Sequence, residues 1–302
     1  MVQPKPVEKQ PDSGIQKPLP VLLGAEPERS PDLQAEVERI RQSDIFEITQ
    51  RDRNLFAWLS AQRDALVNGF IISSCYADLR KSCQFYQRLY VKKRGNLYPV
   101  PAPIITVEVH QYGTPTDLFK AISRELGNPF AEVGRLGNLR TRAQGTLKSH
   151  GVKLLVIGKA DYLSYKAFNE LVELTRALKI AVVPVGSPYL NEILTRKSRK
   201  YTDISNTFLE WHEFPAFLKA DTAGIIRQWE SQVLKEWSVP LKLYEDGNAV
   251  NFLYERSKGH GEVLYEILRK LAVIRLDNPS MTLSARQLAE VLQHRDAPAN
   301  KW

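Results

Sequence analysis

The chain has 302 residues, 43% hydrophobic and 25% charged, the proportions of a soluble globular protein with room for one large core and a smaller satellite. No apolar run approaches the roughly 20 residues that span a bilayer, and the start, Met1-Val2-Gln3-Pro4-Lys5-Pro6, lacks the apolar centre of a signal peptide. A cytoplasmic protein with no membrane partner is the expectation. Two cysteines, Cys75 and Cys83, exclude a disulfide framework and a zinc-ligand set and read as buried small hydrophobes, while a net charge of +8 and a pI near 9.3 favour polyanionic partners, nucleic acid above all.

In chain order, residues 1–31 carry Pro4, Pro6, Pro11, Pro18, Pro20, Pro27 and Pro31 without apolar periodicity and read as a disordered or extended arm. Residues 32–69 read as N-terminal helices. Ser30-Pro31 supplies a cap and a first-turn proline ahead of Leu33, Val37 and Ile40, and Leu55, Trp58, Leu59 and Leu66 mark a second helix from about Gln50. Residues 70–215 alternate. Strands are predicted at 70–74, 104–109, 153–157, 180–185 and 208–211, with helices at 80–93, 115–126, 138–149, 164–178 and 188–199. Ile104-Ile105-Thr106-Val107 and Leu154-Leu155-Val156-Ile157 are apolar without alternation, as strands buried on both faces are, which predicts an α/β fold with a parallel sheet between helices. Residues 216–302 read as a helical lid subdomain, with helices at 219–237, 245–257, 261–276 and 284–294, the last capped by Ser284. Trp211, Trp229 and Trp237 are expected to pack that subdomain.

The informative stretch is Phe70–Arg94, a short buried strand, a tight connection and a basic amphipathic helix. A phosphate-binding loop has this setting and needs G-x-x-x-x-G-K-[S/T], so that its backbone curls and aims N–H groups at phosphate. The eight residues here are Cys75-Tyr76-Ala77-Asp78-Leu79-Arg80-Lys81-Ser82. Lys81 and Ser82 are in place; both glycines are replaced, and Asp78 sets a negative charge beside any phosphate. After strand 153–157, Gly158 and Lys159 stand where two acids would bind Mg²⁺ and polarise water. After strand 180–185, Ser187 either senses a γ-phosphate or caps the next helix. His110, His150, His212, His260 and His294 show no metal-ligand spacing, and no G-x-S-x-G nucleophile motif is present.

The succession Leu33…Ile40, Trp58, Lys81-Ser82, Gly113-Thr114-Pro115-Thr116-Asp117-Leu118-Phe119-Lys120, Leu155-Val156-Ile157-Gly158-Lys159-Ala160-Asp161 and Ala181-Val182-Val183-Pro184-Val185-Gly186 resembles the TniB/TnsC family over roughly residues 33–294. These are transposon-encoded AAA+ ATPases that select target DNA, recruit the transposase and oligomerise on duplex DNA. The resemblance places the family's phosphate-loop lysine and hydroxyl on Lys81 and Ser82, its metal-binding and catalytic acids on Gly158 and Lys159, and its sensor on Ser187. An arginine finger falls among Arg196 and Arg199, at an oligomer interface, and the second sensor arginine falls on Val263. Glycines, metal ligand, base and sensor are lost together, which implies a pseudo-ATPase. No cofactor is expected, and ATP with Mg²⁺ binds only if the altered loop still cradles phosphate. The bland alternative for Lys81 and Ser82 is that they merely begin a helix.

The family's DNA-facing loops correspond here to Gln111-Tyr112 and Gly134-Arg135, followed by Arg140, Arg142 and Lys148, with Tyr112 where a lysine is usual. Lys92-Lys93-Arg94 and Arg196-Lys197-Ser198-Arg199-Lys200 suit sequence-independent phosphate contacts, or else form solvated faces or subunit contacts. Three functions stay open: a transposon-associated DNA-binding regulator or adaptor that docks on double-stranded DNA, transposase or an active family member in a homo- or hetero-oligomer; a divergent but active ATPase; and a protein-only scaffold.

Overall fold

The computed structural model describes residues 28–293 apart from 91–100, 110–111, 236, 238–239 and 282. The arm through residue 27, the cluster Lys92-Lys93-Arg94, and His110, Gln111 and His294 lie outside the described residues.

The described elements are α1 (Pro31–Arg41), α2 (Gln50–Ala65), β1 (Gly69–Ile72), α3 (Tyr76–Tyr90), β2 (Ile104–Glu108), α4 (Pro115–Glu125), α5 (Leu136–Ser149), β3 (Leu154–Gly158), α6 (Tyr165–Leu178), β4 (Ala181–Gly186), α7 (Tyr189–Leu194), α8 (Thr202–Thr207), β5 (Glu210–Glu213), α9 (Lys219–Val233), α10 (Gly247–Ser257), α11 (Gly261–Asp277) and α12 (Ala285–Gln293). Local chemistry sets several of these starts. Ser30 caps α1 by accepting from the Leu33 amide, with Pro31 in the first turn. Thr114 and Asp117 close a reciprocal capping box on α4. Ser164 caps α6 through the Ala167 amide.

The five strands form one sheet in the order β2-β3-β4-β1-β5, and every neighbouring pair runs parallel. One face, carrying Ile105, Val107, Leu155, Ile157 and Val182, packs with α4, α5 and α6 through Phe119, Leu139 and Phe168. Ile71, Leu154, Val156, Val183 and Val185 cover the other face with Leu55 and Leu59 of α2 and Leu79 and Tyr86 of α3. Burial on both sides is the physical reason the strands read as continuous apolar runs. Among the described residues no helix is long and apolar enough to cross a membrane.

A separate core holds the lid, with Trp229, Val233, Leu253, Leu264, Leu268 and Leu271 from α9 to α11 and Leu288 from α12. Val37 and Ile40 of α1 belong to this lid core, whereas α2 packs on the sheet, so the two N-terminal helices do not act as a unit. Trp229 and Trp237 pack in the lid as expected. Trp211 does not: it lies on the edge strand β5 and is 54% exposed. Leu66 is exposed too, because it forms the left-handed cap that ends α2.

Candidate functional site

Ligands of open parallel sheets collect at the carboxyl ends of the strands, and here those ends are filled by the chain itself. Helix α3 begins at Tyr76, four residues before the expected start at 80. A phosphate cradle requires left-handed backbone points, which glycine supplies. No residue from Ser73 to Ser82 has positive φ, and Ala77, Leu79, Arg80 and Lys81 are good helix formers, so the loop zips into the helix. The remaining connection is tied by Ser73, whose hydroxyl accepts from the Cys75 amide at 2.9 Å and donates to the Phe214 carbonyl at 2.8 Å. Cys75 and Cys83 are buried, and burial pushes the Cys83 thiol up to about 12.

Lys81 and Ser82 therefore lie in the second turn of α3 rather than at its mouth. Ser82 is fully buried and donates to Asp52 Oδ1 at 2.5 Å and to the Asp78 carbonyl at 3.0 Å. Asp52, also buried, accepts from the Thr49 amide and hydroxyl, which caps α2. Lys81 Nζ is held 2.5 Å from Asp44 and 2.5 Å from Glu262 of α11. Burial opposes its charge, but the two carboxylates outweigh burial and raise its pKa above the ordinary value.

Asp78 joins the core to the lid. Its carboxylate accepts from the Gly261 amide at 2.7 Å and the Glu262 amide at 2.9 Å, the free donors at the start of α11. Arg51 of α2 donates to the same carboxylate at 2.7 Å and to the Pro215 carbonyl at 2.9 Å, with its guanidinium 4.6 Å from the Phe214 ring centroid. A helix N-terminus is a ready anion seat, and here a side chain of the protein occupies it. A Cβ on Gly261 would stand 3.2 Å from Asp78 Oδ2, so the carboxylate packs closely on this glycine.

The metal position is closed in the same manner. A Cβ on Gly158 would run into Tyr76 Oη, so an aspartate there requires the tyrosine to move aside. Tyr76 donates to Glu108 at 3.2 Å; burial first, and the Glu108 carboxylate second, push its phenol well above the usual range. Arg80 at 3.7 Å and Lys159 at 3.8 Å flank Glu108. Among the described residues no group of three or more His, Cys, Asp or Glu could hold a metal ion. The donors here are one carboxylate, Glu108, between two cations, and not the acid pair that a Mg²⁺ site uses.

The other sequence-selected residues scatter. Ser187 does not cap a helix: it donates to Asp161 Oδ2 at 2.8 Å, and α7 opens after Pro188 without a side-chain cap. Val263 is exposed on the first turn of α11. Arg140 pairs with Glu170, and Arg142 donates to the Phe130 and Val133 carbonyls, so both are committed to structure. Arg135 is exposed at the start of α5, Tyr112 is 81% exposed, and Arg196, Lys197, Arg199 and Lys200 are exposed beyond α7. Sequence reasoning missed Tyr76, Arg51, Asp52, Asp44, Glu108 and Glu262. Only the negative charge of Asp78 and the glycine at 158 signalled the arrangement.

Comparison with known proteins places this geometry. Residues 73–194 match the protein family described as an AAA domain. No curated protein matches the chain in sequence. Among solved structures, the Aeropyrum pernix ORC2 protein in its ADP form is similar with a TM-score of 0.61 and 11% identity, over 85% of this chain and 72% of that one. Cdc6p from Pyrobaculum aerophilum gives 0.55 and 14%, over 80% and 66%. Drosophila ORC bound to DNA gives 0.54 and 15%, over 98% and 71%. At such identities the likeness is one of fold, and the fold is that of the AAA+ P-loop ATPases.

Three outcomes test this site. Asp78→Ala strips a buried guanidinium and a helix terminus of their anion, and is expected to cost about 3 kcal/mol of stability, with faster hydrogen exchange at the Gly261 and Glu262 amides. Gly158→Asp is expected to lower the melting temperature by overpacking, roughly 1–3 kcal/mol, and the added change Tyr76→Ala to recover part of that loss. The Asp44–Lys81 contact depends on pH. Lys81 holds the Asp44 carboxyl below its ordinary 3.8, so Asp44's contribution is present above that value and is lost as pH falls through the depressed one. The raised Lys81 contributes fully below its ordinary 10.5 and loses this as pH rises through its folded value. Acid and alkaline titrations of melting temperature are expected to show both limbs, and Asp44→Asn to flatten the acid one.

Proposed function

We propose that this protein is a DNA-binding regulator or adaptor that uses the AAA+ shape without ATP hydrolysis, in a transposition system of the TniB/TnsC kind. One observation carries the reading: the phosphate, metal and lid contacts that a nucleotide would make are supplied by Asp78, Tyr76 and Lys81 of the chain itself. A site built this way keeps one carboxylate, Glu108, already engaged by Tyr76, Arg80 and Lys159, in place of the acid pair that would bind Mg²⁺ and polarise water, and electrostatic groups at a transferring phosphoryl are worth orders of magnitude in rate. The protein's action then lies in docking. The solved structure of Drosophila ORC has DNA on a related fold, and Arg135 and the 196–200 cluster offer exposed cations for phosphate. The transposon assignment rests on the sequence resemblance, with double-stranded DNA, a transposase and other family members as its partners.

Equilibrium ATP binding with Mg²⁺, measured on the wild type and Lys81→Ala, is expected to show none in either. Duplex-DNA affinity is expected to fall steeply with salt, and Arg135→Ala to reduce the log–log salt slope by about one. Tight ATP binding lost in Lys81→Ala, followed by turnover, would instead make the protein a divergent ATPase. Salt-insensitive self-assembly without DNA affinity would make it a protein-only scaffold.

A further inference from the structure

Two exposed tyrosines, Tyr112 and Tyr162, follow β2 and β3 at the carboxyl end of the sheet. Gly113 and Leu163 form a backbone bridge, and Ser164 donates its amide to the Gly113 carbonyl at 2.9 Å. Tyr112 and Tyr162 immediately precede the two bridged residues and are 81% and 49% exposed. Tyr112 is also held at φ 68°, a left-handed conformation that a bulky side chain rarely adopts.

Three residues after Tyr162, Tyr165 opens α6, and it and Tyr201 are half-buried with one side packed on the sheet core. The Tyr165 ring lies 5.1 Å from that of Tyr201. Cations sit over both, with Lys200 Nζ 4.1 Å from the Tyr165 centroid and the Arg196 guanidinium 5.5 Å from that of Tyr201. Lys197 and Arg199 complete an exposed basic stretch. The nearby carboxylates are largely engaged: Asp161 accepts from Ser187, and Asp203 stands 3.6 Å from Arg176, leaving Glu192 exposed on α7.

We infer that this belt, Tyr112-Tyr162-Tyr165-Tyr201 with Arg196 and Lys200, binds single-stranded nucleic acid. The inference rests on the nucleic-acid reading above and names a different strand state. In a duplex the base faces are stacked on one another, and a protein reaches mainly phosphate through cations and hydrogen-bond donors. Exposed aromatic faces interleaved with cations suit the opposite case, in which unpaired bases stack on the rings and the backbone follows the positive charge. Tyr112 and Tyr162 are the platform, because their side chains are the most open of the four. Arg196 and Lys200 hold phosphate at its other end.

The test uses the full chain and fluorescence anisotropy with three labelled probes of equal length: an oligothymidylate, an abasic strand and a duplex. The oligothymidylate is expected to bind about ten-fold more tightly than the abasic strand, as base–aromatic stacking predicts. Tyr112→Ala with Tyr162→Ala is expected to erase that margin while leaving salt-dependent binding of the abasic strand. Phenylalanine at both positions keeps the margin, because stacking needs the ring and not the hydroxyl. Arg196→Ala with Lys200→Ala weakens all strands alike. Trp211→Ala, an equally exposed aromatic on the opposite edge strand, is the control and leaves binding unchanged. Equal affinity for thymidylate and abasic strands, or a tyrosine double variant that binds as the wild type does, overturns the belt while a duplex-binding function stands. Wild-type protein that binds none of the three probes overturns both, and points to an acidic protein surface as the partner of these cations.

Discussion

The Asp78 carboxylate receives two amide hydrogens from the start of α11 and one guanidinium from α2, and the relation of lid to core depends on that convergence. A carboxylate at a helix N-terminus contributes up to about 2 kcal/mol in a partly buried setting. Removing one member of a buried pair costs more than the pair contributes, because the partner is left charged and dry. Lid position is thereby a property of the folded chain. A diffusible phosphate at the same helix terminus would make it depend on ligand concentration, as any bound ligand does; a side chain does not.

The substitutions around this seat are complementary. Glycine at 158 leaves the space that Tyr76 enters, and glycine at 261 leaves the space for Asp78. With no left-handed residue between Ser73 and Ser82, α3 begins at Tyr76, and Tyr76 and Asp78 share its first turn. Restoring one nucleotide-site residue would therefore create a clash or an unpaired buried charge. Packing of this density accepts such changes only in concert.

A net charge of +8 overstates the basic surface and hides its location. Arg51, Lys81, Arg140 and Arg142 are spent on internal carboxylates and carbonyls. Among the cations that face water are Arg135 and the stretch 196–200, where Arg196 and Lys200 lie over Tyr201 and Tyr165.

The sequence by itself determined the strands, most helices and the parallel α/β class, because burial on both faces writes unbroken apolar runs and capping chemistry is local. It also shows Lys81-Ser82 without the glycines that a phosphate loop needs and Gly158-Lys159 without acids after the third strand, since those are statements about residue type. Only the tertiary structure decided what fills the vacated space. Tyr76 and Gly158 are 82 positions apart and Asp78 and Gly261 are 183 apart, and nothing in either neighbourhood encodes the other. It likewise decided that α1 belongs to the lid, that Trp211 faces outward, and that Gly113 and Leu163 are bridged. Contacts between distant segments depend on how elements pack, and packing is a property of the assembled core.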